Sequence, residues 1–281
     1  MSIAEAGLYV VATPLGNLED ISRRALNVLE RVDLIAAEDT RHSRRLLAHY
    51  GIRTPLTSVH EHNERDKLPG LLARLAAGES LALISDAGTP LVSDPGFILV
   101  RAAREAGHRV VPVPGPSALI CALSAAGLPS DRFLFEGFAP RRPAARRSWL
   151  EGLRGEPRTL VFYEASHRIL DTLRDMVELF GAERRGAMAR ELTKLHETFL
   201  VGGLGDLAQR VEADPQQRKG EFVVLVAGAE SGGGGAAEAE RVLRILAGEL
   251  PLKRAAALAA EITGARRNEL YQLGLRWKAG D

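Results

Sequence analysis

Residues 81–90 read LALISDAGTP, and this stretch decides which class of fold the chain adopts. The four apolar residues predict a buried strand, and the small residues, carboxylate, glycine and proline after them predict a loop. The next helical pattern begins only after Ser93-Asp94-Pro95-Gly96. In open α/β sheets, ligands lie outside the carboxyl ends of such strands, so we expect this loop to face a binding cleft.

The same order of strand, loop and helix recurs through the first half of the chain. Further apolar strand candidates occupy residues 8–12, 34–37 and 110–113, and the loops after them span 13–17, 38–41 and 114–117. Asp20 is the predicted N-cap of the first helix. Alternation of this kind predicts a mainly parallel sheet with helices on both faces.

The pattern changes near residue 130. Five strand candidates follow, at 133–135, 159–163, 186–190, 198–201 and 222–226, with about three helical patterns among them. The fold class is therefore α/β, with a mainly parallel domain and then a mixed-sheet domain. We divide the chain into an N-terminal domain (1–128), a second domain (129–229), a glycine-rich linker (230–235) and a helical extension (236–281).

The extension reads as three short helices at 236–248, 251–263 and 266–278. It carries the basic residues Lys253, Arg254, Arg266, Arg267, Arg276 and Lys278. Two interpretations stay open: a nucleic-acid module of helix-turn-helix type, or a charged cap packed on the body.

Composition excludes several classes of protein. Lys and Arg number 37 against 36 acids, so net charge does not indicate a nucleic-acid partner by itself. The single cysteine, Cys121, excludes a disulfide framework and is predicted to be a packing residue. Neither a membrane span nor a signal peptide is recognisable, which favours the cytoplasm, and both G-x-G-x-x-G and P-loop motifs are missing from the sequence.

Residues 60–64 read HEHNE, a pattern that predicts strand alternation with His60 and His62 on one side. Two histidines suggest zinc, but a third ligand at suitable spacing is missing. We predict no metal site and a polar role in a cleft or toward RNA.

Two basic clusters stand out. Arg41, Arg44 and Arg45 lie on one predicted helix, and a second cluster, near Trp149, comprises Arg141, Arg142, Arg146 and Arg147. Such clusters bind phosphates, and an adjacent aromatic ring can stack on a splayed base, although Trp149 also fits a core position.

Six motifs then occur in a fixed order: 11–25, 37–41, 60–64, 85–96, 114–118 and 190–197. Over about residues 7–228 they resemble the ribosomal-RNA branch of the tetrapyrrole methylase superfamily, and the helical tail resembles the extension of that branch. The loop Thr13-Pro14-Leu15-Gly16-Asn17 departs from the G-x-G-P-G-D opening of the small-molecule branches. This departure favours the RNA branch.

The resemblance implies a homodimeric enzyme that uses S-adenosylmethionine to methylate a cytidine 2′-oxygen in 16S ribosomal RNA of the small subunit, without a metal. The methyl donor is expected between the two α/β domains. Its contacts, carried over by the motifs, are Leu15, Gly16, Asp86, Ala87, Gly88, Ser117, Ala118, Tyr163, Ala189 and Leu192. Asp86 also fits a loop-capping role.

A ribose hydroxyl must lose its proton during transfer, so a proton acceptor is expected in the site. Asp39, Glu191 and His62 are the catalytic candidates, and His60, Glu61 and His196 are also considered. Asp39 equally fits the N-cap of the helix that follows it. The expected RNA contacts are Arg41, Arg44, Arg141, Arg142, Arg146, Arg147 and Lys194, although Lys194 also fits ion pairs with adjacent acids.

Two other functions fit the same fold. A small-molecule methyltransferase would need an apolar cavity between the domains instead of basic rims. A noncatalytic RNA-binding assembly factor would keep the fold without the reaction.

Overall fold

The computed structural model of the protein describes residues 5–229 and 234–279. Two five-stranded sheets are followed by a helical unit in these ranges. The α/β class, with a parallel sheet and then a mixed sheet, is confirmed.

The first sheet is parallel throughout, in the order β3-β2-β4-β1-β5. Its strands are β1 (Gly7–Val11), β2 (Leu34–Ala37), β3 (Leu56–Ser58), β4 (Ser80–Ile84) and β5 (Val110–Val113). The helices between and after them are α1 (Arg23–Arg31), α2 (Thr40–His49), α3 (Glu64–Ala76), α4 (Phe97–Glu105) and α5 (Ala118–Ala125). The four predicted strands are confirmed, whereas β3 was not predicted.

Helices cover both faces of this sheet, which explains its uninterrupted apolar strands. Ala82 and Ile84 belong to the core on one face, and Leu81 and Leu83 belong to the core on the other. Because every strand runs the same way, the loops after β1, β2, β4 and β5 meet at one edge. The loop that follows β4, at residues 85–90 of the 81–90 stretch, is central in that edge, since β4 lies between β1 and β2.

One capping prediction was wrong. Asp20 does not begin α1; the Ser22 hydroxyl caps it by accepting a hydrogen bond from the Ala25 amide at 3.0 Å. Asn17 caps a short 3-10 helix, Leu18–Asp20, before it. The polar run offered several capping residues, and the extra turn shifted the helix start by two positions.

The second sheet is mixed, in the order β6-β7-β10-β8-β9, with only its β6–β7 pair parallel. Its strands are β6 (Phe133–Phe138), β7 (Thr159–Ala165), β8 (Arg185–Arg190), β9 (Thr198–Gly203) and β10 (Glu221–Val226). Its helices are α6 (Pro143–Leu153), α7 (Ile169–Phe180), α8 (Leu204–Ala213) and a 3-10 turn (Pro215–Arg218). All five predicted strands are present.

The two domains share part of a core. One face of the second sheet packs on α6, α7 and α8, and the other packs on Leu119, Ala122 and Leu123 of α5. Cys121 is partly buried in this second core, as a packing residue. The last helix of the first domain, α5, therefore packs against the sheet of the second domain.

The tail comprises α9 (Gly234–Glu249), α10 (Leu252–Thr263) and α11 (Arg267–Ala279), packed around a small core of their own. Gly264, at φ 71°, ends α10 in the left-handed conformation that favours glycine. Residues 230–233 of the predicted linker lie outside the described residues. Gly234 and Gly235 belong to α9, so the linker prediction was wrong for these two. Among the described helices, none is long and apolar enough to cross a bilayer.

Candidate active site

A cleft of about 470 Å³ lies at the carboxyl edge of the first sheet, with residues of both domains in its wall. The first domain contributes Leu15, Glu38, Asp86, Ala87, Gly88, Thr89, Val92, Ser93, Asp94, Ser117 and Ala118. The second contributes Phe138, Tyr163, Glu164, Ala165, Ser166, Leu192, Gly220, Glu221, Phe222 and Val223. Five of these are acids and none is Lys, Arg or His.

The first loop and the 81–90 loop are joined by backbone hydrogen bonds. Thr13 and Gly88 exchange both amide–carbonyl bonds, at 2.8 and 2.9 Å. Gly88 has φ 83°, and a Cβ there would lie 3.3 Å from the Leu15 side chain, on the cleft wall. Glycine at position 88 therefore adopts the positive φ without strain and leaves room for the Leu15 side chain.

Asp86 lies in the cleft wall and also braces the neighbouring loop. Its Oδ1 accepts a hydrogen bond from the Asp39 amide at 3.1 Å, and its own amide points to Glu38 Oε2 at 3.4 Å. The capping role predicted as an alternative is therefore present. This capping hydrogen bond uses Oδ1 of Asp86, and Asp86 still lines the cleft.

Three carboxylates on the first-domain side, Glu38, Asp86 and Asp94, lie close together. Burial raises the pKa of Glu38, and the charge of Asp86 adds to this. Burial is also the main cause that raises the pKa of Asp94 to about 6; Glu38 and Asp86 add to it, while a hydrogen bond from Ser85 opposes it. The cleft thus concentrates negative charge in a partly dehydrated space.

The start of α5 forms another part of the wall. Ser117 precedes the helix in extended conformation, and the Leu119 amide donates to the Tyr163 hydroxyl at 3.2 Å. The Thr89 hydroxyl donates to the Pro116 carbonyl at 2.9 Å, which fixes the 81–90 loop against this helix start. Backbone groups of three segments are therefore held at fixed positions around the cleft.

The structure places eight of the ten predicted donor contacts on the cleft wall, and Gly16 and Ala189 are not among its lining residues. Gly16 faces Lys194, whose Cγ would lie too close to any Cβ at that position. Ala189 is fully buried in β8, paired with Val223. Packing occupies the side-chain positions of both residues, and the donor contacts predicted for their backbones stay predictions.

Glu191 and Lys194 form an ion-pair network beside the cleft. Lys194 Nζ lies 2.9 Å from Glu191 Oε1 and 2.7 Å from Glu221 Oε2. Burial opposes ionisation of Glu191, but hydrogen bonds from Lys194 and the Glu221 amide outweigh it and lower its pKa. The lowered pKa makes Glu191 a weaker base than an ordinary glutamate, and two carboxylates balance the charge of Lys194, as the ion-pair alternative for Lys194 predicted.

Asp39 and His62 also lie off the cleft wall. The Asp39 carboxylate accepts from the Arg41 amide at 2.7 Å, as the N-cap of α2. Its hydrogen bond with the Arg41 side chain lowers its pKa. His62 is exposed in a turn at 61–63, so the predicted strand alternation was wrong.

Residues 60–64 have a structural role that the sequence did not reveal. The Asn63 side chain accepts from the His60 amide at 2.9 Å and closes the turn. Glu64 is buried and accepts from the Gly96 and Leu99 amides at the start of α4. In residues 5–229 and 234–279, no group of three or more His, Cys, Asp or Glu side chains could hold a metal ion.

The second basic cluster divides into two parts. Arg141 and Arg142 are exposed just before α6. Arg146 is buried, with its Nε 2.6 Å from Asp175 Oδ2, and Arg147 pairs with Glu178 and Asp175. Arg146 therefore cannot reach RNA, and that prediction was wrong, because an acid on α7 holds it inside the domain.

The remaining aromatic and basic predictions have clear positions. Trp149 packs against the core, with its ring 5.4 Å from that of Phe162, so it is not a surface platform. Arg41 is mostly exposed although it pairs with Asp39, and Arg44 is exposed on the same helix.

Sequence reasoning missed Glu38, Asp94 and Phe138 as cleft residues. Glu38 directly follows β2, and Asp94 lies in the Ser-Asp-Pro-Gly segment after β4. Both positions follow strands of the parallel sheet, which was a usable signal. Phe138 had no such signal, because its position depends on packing between the domains.

Comparison with known proteins agrees with this architecture. Residues 7–208 match the family model Tetrapyrrole (Corrin/Porphyrin) Methylases, and residues 233–278 match the RsmI C-terminal HTH domain. The chain is 61% identical to Ribosomal RNA small subunit methyltransferase I of Pseudomonas aeruginosa, over 96% of each chain. The chain therefore belongs to the ribosomal RNA small subunit methyltransferase I family. The protein of that name from Escherichia coli O157:H7 is 54% identical, over 97% of this chain and 96% of its own.

Solved structures show the same fold at low identity. The methyltransferase CobJ aligns with a TM-score of 0.59 and 21% identity, over 80% of this chain and 95% of its own. Uroporphyrin-III C-methyl transferase from Thermus thermophilus, complexed with S-adenyl homocysteine, aligns with a TM-score of 0.53 and 19% identity, over 78% and 96%. The tetrapyrrole methylase fold is therefore confirmed. The resemblance to the ribosomal-RNA branch of that superfamily is confirmed by the 61% identical relative and by the match of the C-terminal domain.

Proposed function

We propose that this protein transfers a methyl group from S-adenosylmethionine to the 2′-oxygen of a cytidine in 16S ribosomal RNA of the small subunit. The observation that carries the proposal is 61% identity along nearly the whole chain to a relative named as a small-subunit ribosomal RNA methyltransferase. The charge and shape of the cleft support it independently, as follows.

The cleft suits a cationic donor. S-adenosylmethionine, when bound, supplies a methyl group on a positively charged sulfur, and that sulfur is the leaving group of the transfer. Glu38, Asp86 and Asp94 offer negative charge to a sulfonium or ammonium group, and no basic side chain in the lining neutralises them. Gly88 has no side chain, so a ligand can approach the backbone beside Leu15. The same charges would repel the phosphates of a nucleotide cofactor bound inside the cleft, which favours a cationic donor there.

Asp94 is the residue to which we assign the proton of the 2′-hydroxyl. It lines the cleft, and burial among carboxylates raises its pKa to about 6. A carboxylate of that pKa is largely ionised at neutral pH yet is a stronger base than an ordinary aspartate. When the oxygen–carbon bond forms and the carbon–sulfur bond breaks, the hydroxyl proton passes to the Asp94 carboxylate. Asp39, Glu191 and His62 lie off the cleft wall and are not needed for this step.

RNA contact is assigned to basic residues outside the cleft. Arg141, Arg142 and Arg44 are exposed, and Arg41 has 87% of its side chain accessible. Exposed guanidinium groups bind phosphate oxygens and position a structured RNA without reading its sequence. Lys253 and Arg254 on α10 are also exposed, so the C-terminal unit fits a second RNA contact.

A homodimer in the cytoplasm, where small ribosomal subunits occur, completes the proposal. Ile120, Val201 and Leu195 are apolar and exposed, Leu195 to 93%. Contiguous exposed apolar surface marks protein interfaces, and we assign these three residues to the dimer contact. Sedimentation equilibrium of the purified chain should give twice the monomer mass of 30.3 kDa.

The test is methyl transfer by the purified full-length chain from methyl-labelled S-adenosylmethionine to small subunits that lack the modification. Digestion of the 16S RNA to nucleosides should yield labelled 2′-O-methylcytidine. Asp94→Asn should lower kcat about 100- to 10,000-fold, the range for loss of a general base. Asp131→Asn, the same change at an exposed position, should keep wild-type activity.

Three outcomes would contradict the proposal or its parts. Transfer to a tetrapyrrole instead of RNA would favour a small-molecule methyltransferase. Absence of transfer, with RNA binding retained, would indicate an assembly factor. Full activity of Asp94→Asn would remove the assigned proton acceptor while leaving the proposed reaction in place.

A further inference from the structure

Phe138 is an exposed aromatic residue in the wall of the cleft. It is the last residue of β6, which is an edge strand, and 54% of its surface is accessible. Edge-strand aromatic rings normally gain by packing on a core, as Phe135 does three residues earlier. More than half of the Phe138 surface is therefore free to contact a partner outside the folded chain.

A bulge in β6 directs this ring into the cleft. The β6–β7 register shifts between Phe135 and Gly137, so that Phe135 pairs with Val161 and Phe138 with Tyr163. Residues three apart in a regular strand point to opposite faces, but the extra residue brings both phenylalanines to one face. Gly137 takes φ 65°, a conformation that favours glycine. Both rings then meet Tyr163, at centroid distances of 4.9 and 5.6 Å.

Phe138 lies on the side of the cleft where the proton acceptor was assigned. A Cβ on Gly137 would lie 3.5 Å from Ser93 Oγ, so the end of β6 faces the segment that carries Asp94. Asp94 and Tyr163, whose ring supports Phe138, both line the cleft, and burial together with the charge of Asp94 raises the pKa of Tyr163. The aromatic face and the carboxylate thus border one part of the cleft.

The chain beyond Phe138 carries positive charge. Ala139 is buried, and Arg141 and Arg142, three and four residues after Phe138, are exposed. An aromatic face followed by guanidinium groups is the combination that holds single-stranded RNA, with the base stacked and the backbone neutralised. A cleft of about 470 Å³ is in the size range of a single small-molecule site. The methyl donor would fill that space, so the RNA base is expected outside it, beside the exposed ring of Phe138.

We propose that Phe138 is the stacking platform for the base of the target nucleotide, and that it positions the ribose 2′-oxygen between Asp94 and the methyl donor. The inference rests on the proposed function and extends it to a specificity-determining residue. Stacking tolerates any base, so Phe138 governs how well the nucleotide is held, and it selects a splayed nucleotide over a paired one.

The test compares Phe138→Ala, Phe138→Trp and Phe97→Ala in the full chain, using small subunits that lack the modification. Phe97 is a matched control, because it is 60% exposed and lies outside the cleft lining. With saturating donor, Phe138→Ala should lower kcat/KM for small subunits roughly 5- to 150-fold, mainly through KM, as for loss of one stacked base. Phe138→Trp should restore most of it, and Phe97→Ala should match wild type.

A second measurement separates this role from a structural one. Calorimetric titration with S-adenosylhomocysteine should give the same affinity for Phe138→Ala and wild type, and the thermal unfolding midpoints should agree within a few degrees. Weakened binding of that ligand would overturn the inference, since Phe138 would then be part of the donor pocket. So would a change in oligomeric state or an unchanged kcat/KM.

Failure of the proposed function would look different. In that case the wild-type chain itself would transfer no methyl group to small subunits. An active wild type together with an unaffected Phe138→Ala variant would refute the stacking platform alone.

Discussion

Asp94→Asn should make the protein more stable at neutral pH, although it removes an assigned catalytic group. The native carboxyl lies in a partly dehydrated cleft beside Glu38 and Asp86, and its pKa is raised from 3.8 to about 6. At neutral pH the native state must therefore keep an unfavourable negative charge there. Asparagine has nearly the same shape and removes that charge.

The expected gain follows from the pKa difference. A rise of about two pKa units corresponds to about 3 kcal/mol at 1.36 kcal/mol per unit. Solvent reaches part of the site, and water screens part of the repulsion, so we expect about 1–2 kcal/mol.

The sign depends on which state holds the proton. Between about pH 4 and 6 the native Asp94 is protonated more often than the same residue in the unfolded chain. The native state then binds more protons, so the free energy of unfolding of the wild type falls as pH rises through this window. The Asn variant lacks this dependence.

The measurement is urea unfolding of wild type, Asp94→Asn and the exposed control Asp131→Asn at about pH 4.5 and pH 7.5. Relative to wild type, Asp94→Asn should gain about 1–2 kcal/mol at pH 7.5 and clearly less at pH 4.5, and Asp131→Asn should show no such difference. If Asp94→Asn is equally or less stable than wild type at pH 7.5, the carboxylate is not electrostatically strained and the argument for a strong base in the cleft fails.

Three further predictions concern the cleft, the basic rim and the second domain. Asp86→Ala should weaken S-adenosylmethionine binding about tenfold, since it removes one charge-assisted contact, and calorimetry showing an unchanged affinity would exclude the contact. Replacing Arg141 and Arg142 by Gln should weaken binding of small subunits and flatten its salt dependence while donor binding persists; an unaltered salt slope in a filter-binding assay would argue against phosphate contacts. Arg146→Ala should lower the free energy of unfolding by about 3 kcal/mol, because Asp175 would stay buried with only the partial help of Arg147, whereas Arg141→Ala should change it by less than about 0.5 kcal/mol. Equal stabilities of these two variants in urea would contradict the buried ion pair.

Asp94 and Phe138 show where sequence reasoning stopped. The loop at 85–96 was expected at a cleft because it follows a strand of a parallel sheet, yet Asp94 was not singled out as a catalytic candidate. Its pKa is raised mainly by burial in the cleft, and the charges of Glu38 and Asp86 add to this. Those two residues are distant in sequence and meet Asp94 only when the strands align. Phe138 depends on a bulge and on the facing first-domain segment, and neither leaves a periodic signal.

Arg146 and Arg147 illustrate the opposite error. In sequence they continue the basic cluster that begins at Arg141, and charge alone predicted four equivalent RNA contacts. Arg146 lies about one helical turn after the exposed Arg142, and there it is buried and paired with Asp175 of α7. Local charge therefore overestimated the basic surface.

The sequence by itself determined the order of strands and helices, the parallel and mixed sheets, the family and the loops that meet at one edge, because these follow from apolar periodicity and from short-range loop chemistry. Only the tertiary structure decided which acids share the cleft, which arginines stay at the surface and which aromatic ring faces the mouth. Those properties depend on burial and on distances between segments far apart along the chain, and neither quantity exists until the two domains have packed.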